Sequence, residues 1–346
     1  MAGIIFSESS GLNNSIYGEV QYPIKMFLEK RAEEFESESA IPHLFHRTPS
    51  QNFGEMMTSL TAMEGFHPVE ENGEYPNDEM QEGYSKFLRN VTWKDKFSIS
   101  EEMIEDSQVL SLQQRPEAFV TGYYRTEELF GAALYGAAIK GETTATFRNH
   151  SFDATCADGQ ALFADSHPAK VKGAAQANRF KDAFSVDALA AMECKMQNVR
   201  GDNNEIVAVH PDTILIPNHD YQLKKEVFAA IGADKDPATA NNGFNFLFGR
   251  WNVIVWSYLD QFITEGTSPW VVLDSKYNKR CGGAVWFDRK KLTVKSEIAE
   301  NDANVWKGRA LSLIHIFDSD IKRNSKLSLN PQQGVNALLE RGQGGA

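Results

Sequence analysis

The first 100 residues of this sequence contain no segment that could form a hydrophobic core of its own, and this constrains the fold more than any other feature. Residues 1–50 carry one short amphipathic piece but too few apolar side chains to offset the entropy lost on ordering. Residues 51–100 are interrupted by six glycines and prolines between Gly54 and Gly83, which excludes a long helix. Both segments must therefore lie along another part of the chain or along a neighbouring chain.

The second half of residues 51–100 predicts β-structure. In YSKFLRNVTWKDKFSIS, aromatic and β-branched residues recur at the alternating spacing of a twisted strand. We predict a long projecting β-hairpin with VEENGEYPND near its tip. The tip combines acidic residues with four apolar ones, Phe66, Pro68, Tyr75 and Pro76. Because apolar groups are costly to leave in water, we expect these four to contact another subunit, the alternative being a solvated acidic loop.

A long helix is predicted over residues 115–140. Pro116 suits a first helical turn, apolar residues recur at steps of three and four, and Gly141 ends the run. Gly131, Ala132 and Gly136 leave one side of this helix almost without side chains. We therefore expect another backbone to approach the helix closely there.

The rest of the chain alternates between helices and strands. A second helix begins after Ser185 as N-cap, and strand TILIP precedes a helix that ends on Gly232. Strands NVIVWSYL, WVVLD and AVWFD follow, and LTVKSEI and RALSLIHIFDSD predict two more long strands. The pattern predicts an α+β fold.

Charge and cysteine content exclude several classes of protein. With 35 basic and 47 acidic residues among 346, the net charge is -12, which argues against a surface that grips nucleic acid or anionic lipid. Three widely spaced cysteines form no disulfide framework, and neither a signal peptide nor a membrane-spanning run is present.

Basic residues are nevertheless concentrated near the end of the sequence. They are Lys290, Lys291, Lys295, Lys307, Arg309, Lys322, Arg323 and Lys326. We interpret them as balancing the acids of the hairpin across subunit contacts, and we expect no tight affinity of the subunit for duplex DNA.

No familiar catalytic motif is present, and we predict no catalytic residues, no metal and no cofactor. The loop from Asp158 to His167 could supply metal ligands, but a polar loop held by Asx turns is the preferred interpretation. The pairs His43 with His46 and His210 with His219 are interpreted as unrelated surface or capping histidines. Cys194, between two methionines of a helix, is interpreted as a buried small apolar residue. Neither Cys194 nor His167 has a partner visible in the sequence, so we expect no catalytic step to depend on them.

The order of these elements resembles the major capsid proteins of tailed bacteriophages, which have the Hong Kong 97 capsid fold, and particularly the Mu-like major head subunit group. The loop DGQALFADSHP and the segment NVIVWSYLDQFITEGTSPWVVLD are similar to that group. The resemblance implies an N-terminal arm over 1–50, an E-loop hairpin over 51–100 and a peripheral domain over 101–203 containing the long helix as its spine. It further implies an axial domain over 204–290 and a return to the peripheral domain, with the C-terminal tail, over 291–346.

Through this resemblance we expect a structural protein, not an enzyme, that self-assembles into the hexamers and pentamers of an icosahedral head around double-stranded DNA. DNA would be enclosed without sequence-specific binding, and no membrane would be bound. The expected partners are other copies of the chain and a portal protein, with any scaffold or decoration protein separate. The expected location is the virion capsid, assembled in the host bacterial cytoplasm.

Two alternatives remain open at this stage. An encapsulin-type cargo shell in a bacterial cytoplasm shares the fold. An enzyme is the other alternative, with residues 204–290 as an unrecognised α/β catalytic module. Some relatives of the resembling group also crosslink neighbouring subunits through a lysine, but Lys86 and Lys94 in the hairpin region are better interpreted as ordinary solvated lysines.

Overall fold

A computed structural model describes residues 5–6, 30–60, 63, 65–78, 80–105, 109–201, 204–232, 245–281, 283–316 and 325–331. The chain divides into two compact units. Unit 1 consists of Met1–Met56, Phe87–Gly131 and Val285–His315. Unit 2 consists of Met57–Lys86, Ala132–Ala284 and Ile316–Ala346.

The described residues contain both helices and strands, so the α+β class is confirmed. The helices are α1 (residues 30–38), α2 (Ile41–Leu44), α3 (Glu101–Glu105), α4 (Val109–Lys140), α5 (Val186–Gln197), α6 (Tyr221–Gly232) and α7 (Ser275–Cys281), and Ser257–Gln261 forms a 3₁₀ turn. The strands are β1 (Ile5–Phe6), β2 (His46–Pro49), β3 (Gly54–Leu60), β4 (Glu82–Arg89), β5 (Val91–Ile99), β6 (Thr144–Phe147), β7 (His150–Asp153), β8 (Arg179–Phe180), β9 (Thr213–Pro217), β10 (Asn252–Trp256), β11 (Thr267–Leu273), β12 (Ala284–Ile298), β13 (Asn304–Ile316) and β14 (Ser325–Pro331).

Unit 1 is a sheet with one face packed on a helix. The strand order is β1-β12-β13-β5, and β2 pairs in parallel with the first part of β12. Phe97 of β5 stacks on Trp306 of β13 with ring centroids 5.2 Å apart and also contacts Phe119 of α4. Alternate residues of each strand therefore point toward the helix, and the residues between them lie on the opposite face of the sheet.

A buried ion pair holds β2 against α4 within unit 1. The guanidinium of Arg47 lies 2.6 Å from the carboxylate of Glu127, which also accepts a hydrogen bond from the hydroxyl of Tyr123. Burial raises the pKa of Glu127, while the charge of Arg47 and these hydrogen bonds act in the opposite direction. The two polar partners explain how a helix that packs on a sheet tolerates an acidic residue on its buried side.

Unit 2 contains a second sheet, with the strand order β10-β9-β11-β14-β8. Every residue of β9 is buried, as expected for TILIP, an apolar run in the interior of a sheet. α5 and α6 contribute Leu189, Met192 and Val227, among others, to the core of this unit. The N-cap prediction is also confirmed, since the side chain of Ser185 accepts a hydrogen bond from the amide of Ala188.

Two predicted boundaries differ from the structure. α4 begins at Val109 rather than near residue 115, and Pro116 lies inside it. A proline inside a helix removes one backbone hydrogen bond and crowds the carbonyl group four residues earlier, and α4 nevertheless continues through Pro116. AVWFD and LTVKSEI were predicted as separate strands but form the single strand β12, because β2 pairs with its first part and β1 with its second. Of the helices in the described part of the chain, none combines the length and apolar character needed to cross a membrane.

Candidate functional site

The projecting arm, defined as residues 54–89, consists of β3, β4 and the segment that joins them. The two strands pair only with each other among the described strands. At the base of the arm, the ammonium of Lys86 donates to the carbonyl oxygen of Thr155 at 2.6 Å and lies 2.9 Å from the carboxylate of Asp153. Lys170 donates in turn to the carbonyl oxygen of Gly83. These contacts anchor the base of the arm within unit 2.

Lys86 is therefore not the ordinary solvated lysine that the sequence suggested. Its ammonium is largely enclosed, and burial lowers its pKa although Asp153 opposes the shift. Because its ammonium group contacts Thr155 and Asp153, Lys86 helps to position the arm.

The tip of the arm is the most exposed apolar surface in the described structure. Phe66 and Tyr75 have relative exposures of 108% and 98%, and Pro68 and Pro76 are also exposed. Acidic side chains of the same segment, including Glu70 and Glu74, are exposed as well. Burial of an aromatic side chain is stabilising, and within the subunit these exposed rings are not buried. A tip of this composition is therefore suited to a contact with another molecule.

The small residues of α4 lie in a buried environment. Gly131 and Ala132 are both buried, and a Cβ atom added at Gly136 would lie 2.3 Å from the Cβ of Phe262 and 2.8 Å from its carbonyl oxygen. At Gly136 the helix and the residue after the 3₁₀ turn approach within a distance that only glycine permits.

We expect Gly136→Leu to lower the free energy of unfolding by about 1–3 kcal/mol or more, because the new side chain must displace Phe262. Gly122→Leu is the matched control on the same helix, since a Cβ at Gly122 meets nothing within 4 Å. That control should leave stability unchanged or raise it, because leucine has the higher helix propensity. Urea denaturation of both variants measures the difference. Equal effects at the two positions would contradict the close approach.

The loop Asp158 to His167 contains a buried hydrogen-bonded network. The Nδ1 atom of His167 lies 2.7 Å from Oδ2 of Asp158, and its Nε2 atom lies 3.2 Å from Oδ1 of Asn178. His167 and Asn178 are fully buried. The expectation that His167 lacks partners is therefore wrong. The path of the loop brings its partners together, and no helical or strand spacing in the sequence indicates this contact.

The remaining candidates from the sequence are a metal site and Cys194. Among the described residues, no group of three or more His, Cys, Asp and Glu side chains is placed to hold a metal ion. Cys194 is exposed, so its interpretation as a buried residue is wrong. Met192 and Met196 are buried on one side of the helix. Cys194 is two positions from each of them, a rotation of about 200° around the helix axis, so it lies on the opposite, exposed side.

Comparison with known proteins identifies the family. A sequence model described as phage capsid protein matches residues 84–315, which is more than half of the chain. The chain belongs to this family. The prediction of a phage major capsid subunit is thereby confirmed, and with it a structural role in a shell built from copies of the subunit.

Solved structures are also similar to this capsid protein, each with a TM-score below 0.5. A structure from Mycobacterium phage Patience is 11% identical, covers 96% of this chain and 94% of its own, and gives a TM-score of 0.48. The acid-stable capsid of Helicobacter pylori bacteriophage KHP30 is 6% identical, with coverages of 83% and 86% and a TM-score of 0.48. A virus-like particle from Pyrococcus furiosus is 10% identical, with coverages of 87% and 97% and a TM-score of 0.44. A comparison with curated proteins found no match.

Proposed function

We propose that this capsid protein self-assembles into the hexamers and pentamers of an icosahedral head of the Hong Kong 97 type, which encloses double-stranded DNA. The match of residues 84–315 to the phage capsid protein family carries the proposal. The exposed arm supports it, because a closed symmetric assembly supplies each subunit with neighbours at equivalent positions.

In this proposal the tip of the arm binds a neighbouring subunit. Phe66 and Tyr75 would be buried there, and Pro68 and Pro76 restrict the backbone that presents them, which lowers the entropy lost on contact. Lys86 and Lys170 hold the base of the arm, so that its direction is set before assembly. The small-residue side of α4, with Gly131, Ala132 and Gly136, serves packing within the subunit.

The remaining parts of the proposal concern partners and location. The protein acts without catalysis, and a portal protein occupies one vertex of the head. A scaffold or decoration protein, where one is used, is a separate chain. Assembly takes place in the cytoplasm of the bacterial host, and the mature location is the virion. The boundaries proposed for the N-terminal arm, E-loop, peripheral and axial domains are those given by the resemblance.

Negative-stain electron microscopy and light scattering of the purified full chain, with and without co-expressed phage proteins, test the proposal. We expect closed shells or ring-shaped capsomers with pentameric and hexameric symmetry. A monomer or dimer at high concentration under every condition would contradict assembly. Shells that enclose a protein cargo instead of DNA in the producing cell would favour the encapsulin-type alternative, and a discrete small particle with a specific activity would favour an enzyme.

A further inference from the structure

A cationic groove of about 560 Å³ lies on the sheet of unit 1. Its lining is formed by residues of β5, β12 and β13, and six of the nine are basic. They are Lys94, Lys96, Lys290, Lys295, Lys307 and Arg309, and the other three are Asp95, Thr293 and Gly308. The sequence pointed to four of the basic residues, but not to Lys94 and Lys96.

Strand register brings these cations together. In the antiparallel pairing of β5 with β13, Lys96 lies directly opposite Lys307, and Lys94 lies directly opposite Arg309. Their neighbours Phe97 and Trp306 point toward α4, so the four cations occupy the other, exposed face of the sheet. Lys295 joins them from β12, because the flanking residues Leu292 and Val294 belong to the core on the α4 side.

This arrangement carries an electrostatic cost that the described residues offset only in part. Like charges directly opposite each other on neighbouring strands are destabilising. Within the described ranges, Lys307 alone among the six has a carboxylate within salt-bridge distance, that of Glu297. The carboxylate of Asp95 instead accepts a hydrogen bond from the backbone amide of Lys96. A chain with a net charge of -12 has acids in excess, yet this groove remains positive.

The side chains favour phosphate over a protein surface as the anion. Five of the six basic residues are lysines, which bind phosphate as flexible point charges, whereas arginine pairs bidentately with carboxylate and phosphate alike. Protein interfaces are depleted of lysine and enriched in aromatic residues, and no aromatic side chain lines this groove. Residues two apart on one strand lie about 6.6 Å apart, so the strands present several cations along one line.

We propose that this groove binds the phosphate backbone of duplex DNA without base preference. The inference rests on the proposed function for the source of the DNA and for the number of subunits that bind it together. Each subunit binds weakly, in keeping with the net charge of the chain, and the contacts add up over the many subunits of a shell. The competing interpretation is that these basic residues, among them Lys290, Lys295, Lys307 and Arg309, balance the acids of the hairpin across subunit contacts.

The test measures binding of a fluorescent 24-base-pair duplex by anisotropy. It uses the full chain at a concentration where light scattering detects no assemblies, between about 20 and 200 mM salt. Contacts to about five phosphates predict a slope of log affinity against log salt of about -4.5. In the groove variant K94Q/K96Q/R309Q the slope should become shallower by about three, and affinity at the lowest salt should fall at least tenfold.

The matched control is K225Q/K276Q/K279Q, which removes the same charge from exposed lysines of unit 2. It should bind like the unmodified protein. The groove variant should fold, because its substitutions are exposed and remove like-charge pairs, and a melting curve verifies this. Equal losses in both variants would show a general charge effect and overturn the proposal, as would binding that neither variant changes.

A synthetic peptide of residues 65–82 tests the competing occupant. Peptide binding that the groove variant abolishes, without any DNA binding, would make the groove a contact between copies and overturn the proposal. Electron microscopy of the same proteins separates the two hypotheses. Shells without DNA binding would overturn this inference alone, and groove-dependent DNA binding without shells would contradict the proposed assembly alone.

Discussion

Deletion of residues 62–80, with a short Gly-Ser linker in their place, is expected to abolish closed shells while the subunit still unfolds cooperatively. None of the described residues of this segment is buried, and residues 65–77 are all exposed, so their removal leaves the packing of the described cores intact. The contacts of Lys86 and Lys170 at the base of the arm also remain. Electron microscopy counts the shells, and calorimetry measures the melting transition.

Two substitution variants divide the effect of the deletion between its apolar and acidic parts. Phe66→Ser with Tyr75→Ser removes the exposed aromatic side chains, and Glu70→Gln with Glu71→Gln removes two charges from the same loop. If burial of the tip drives the contact, the aromatic variant should reproduce most of the deletion and the acidic variant should not. Intact shells in the deletion, or loss of cooperative unfolding, would show that the arm has been assigned the wrong role.

The parts of this fold that the sequence predicted are those set by local rules. The helix after Ser185 has an N-cap and a periodic apolar face, and β9 is a short apolar run between polar segments. The beginning of α4 was missed because the expectation placed Pro116 in a first turn. The residues around Pro116 do not show whether it lies in the first turn of a helix or further inside one. α4 extends past it because tertiary packing, such as that of Phe119 and Val120, stabilises the helix.

The groove could not be predicted, because it depends on pairing between distant segments. Alternation along β13 places Lys307 and Arg309 on one face, but only the register with β5 sets them opposite Lys96 and Lys94. A shift of one residue in that register would move the cations of one strand to the other face relative to its partner. The sequence therefore indicated basic residues on a shared surface without indicating their neighbours.

The same limit applies to His167, whose partners come from both ends of a closed loop. The amide of Asn178 is fixed by two backbone contacts, since its Nδ2 donates to the carbonyl of Leu162 and its Oδ1 accepts from the amide of Ala164. Its oxygen is therefore the atom that faces Nε2 of His167, while Nδ1 faces the carboxylate of Asp158. Both ring nitrogens of His167 therefore face oxygen atoms of buried side chains.

We expect His167→Leu to lower the free energy of unfolding by about 1–3 kcal/mol or more, because it leaves the carboxyl group of Asp158 and the amide oxygen of Asn178 buried without the ring nitrogens that contact them. Asp158→Asn retains the oxygen that accepts from the amide of Gln160 but replaces the oxygen that faces Nδ1 of His167. This second substitution should cost less stability in the His167→Leu variant than in the unmodified protein, because the contact that it changes is already absent there. Urea denaturation of the four proteins gives the coupling free energy between the two sites. Additive effects would contradict the contact between Nδ1 of His167 and Oδ2 of Asp158, whereas a coupling free energy of about 0.5–3 kcal/mol is the result that this contact predicts.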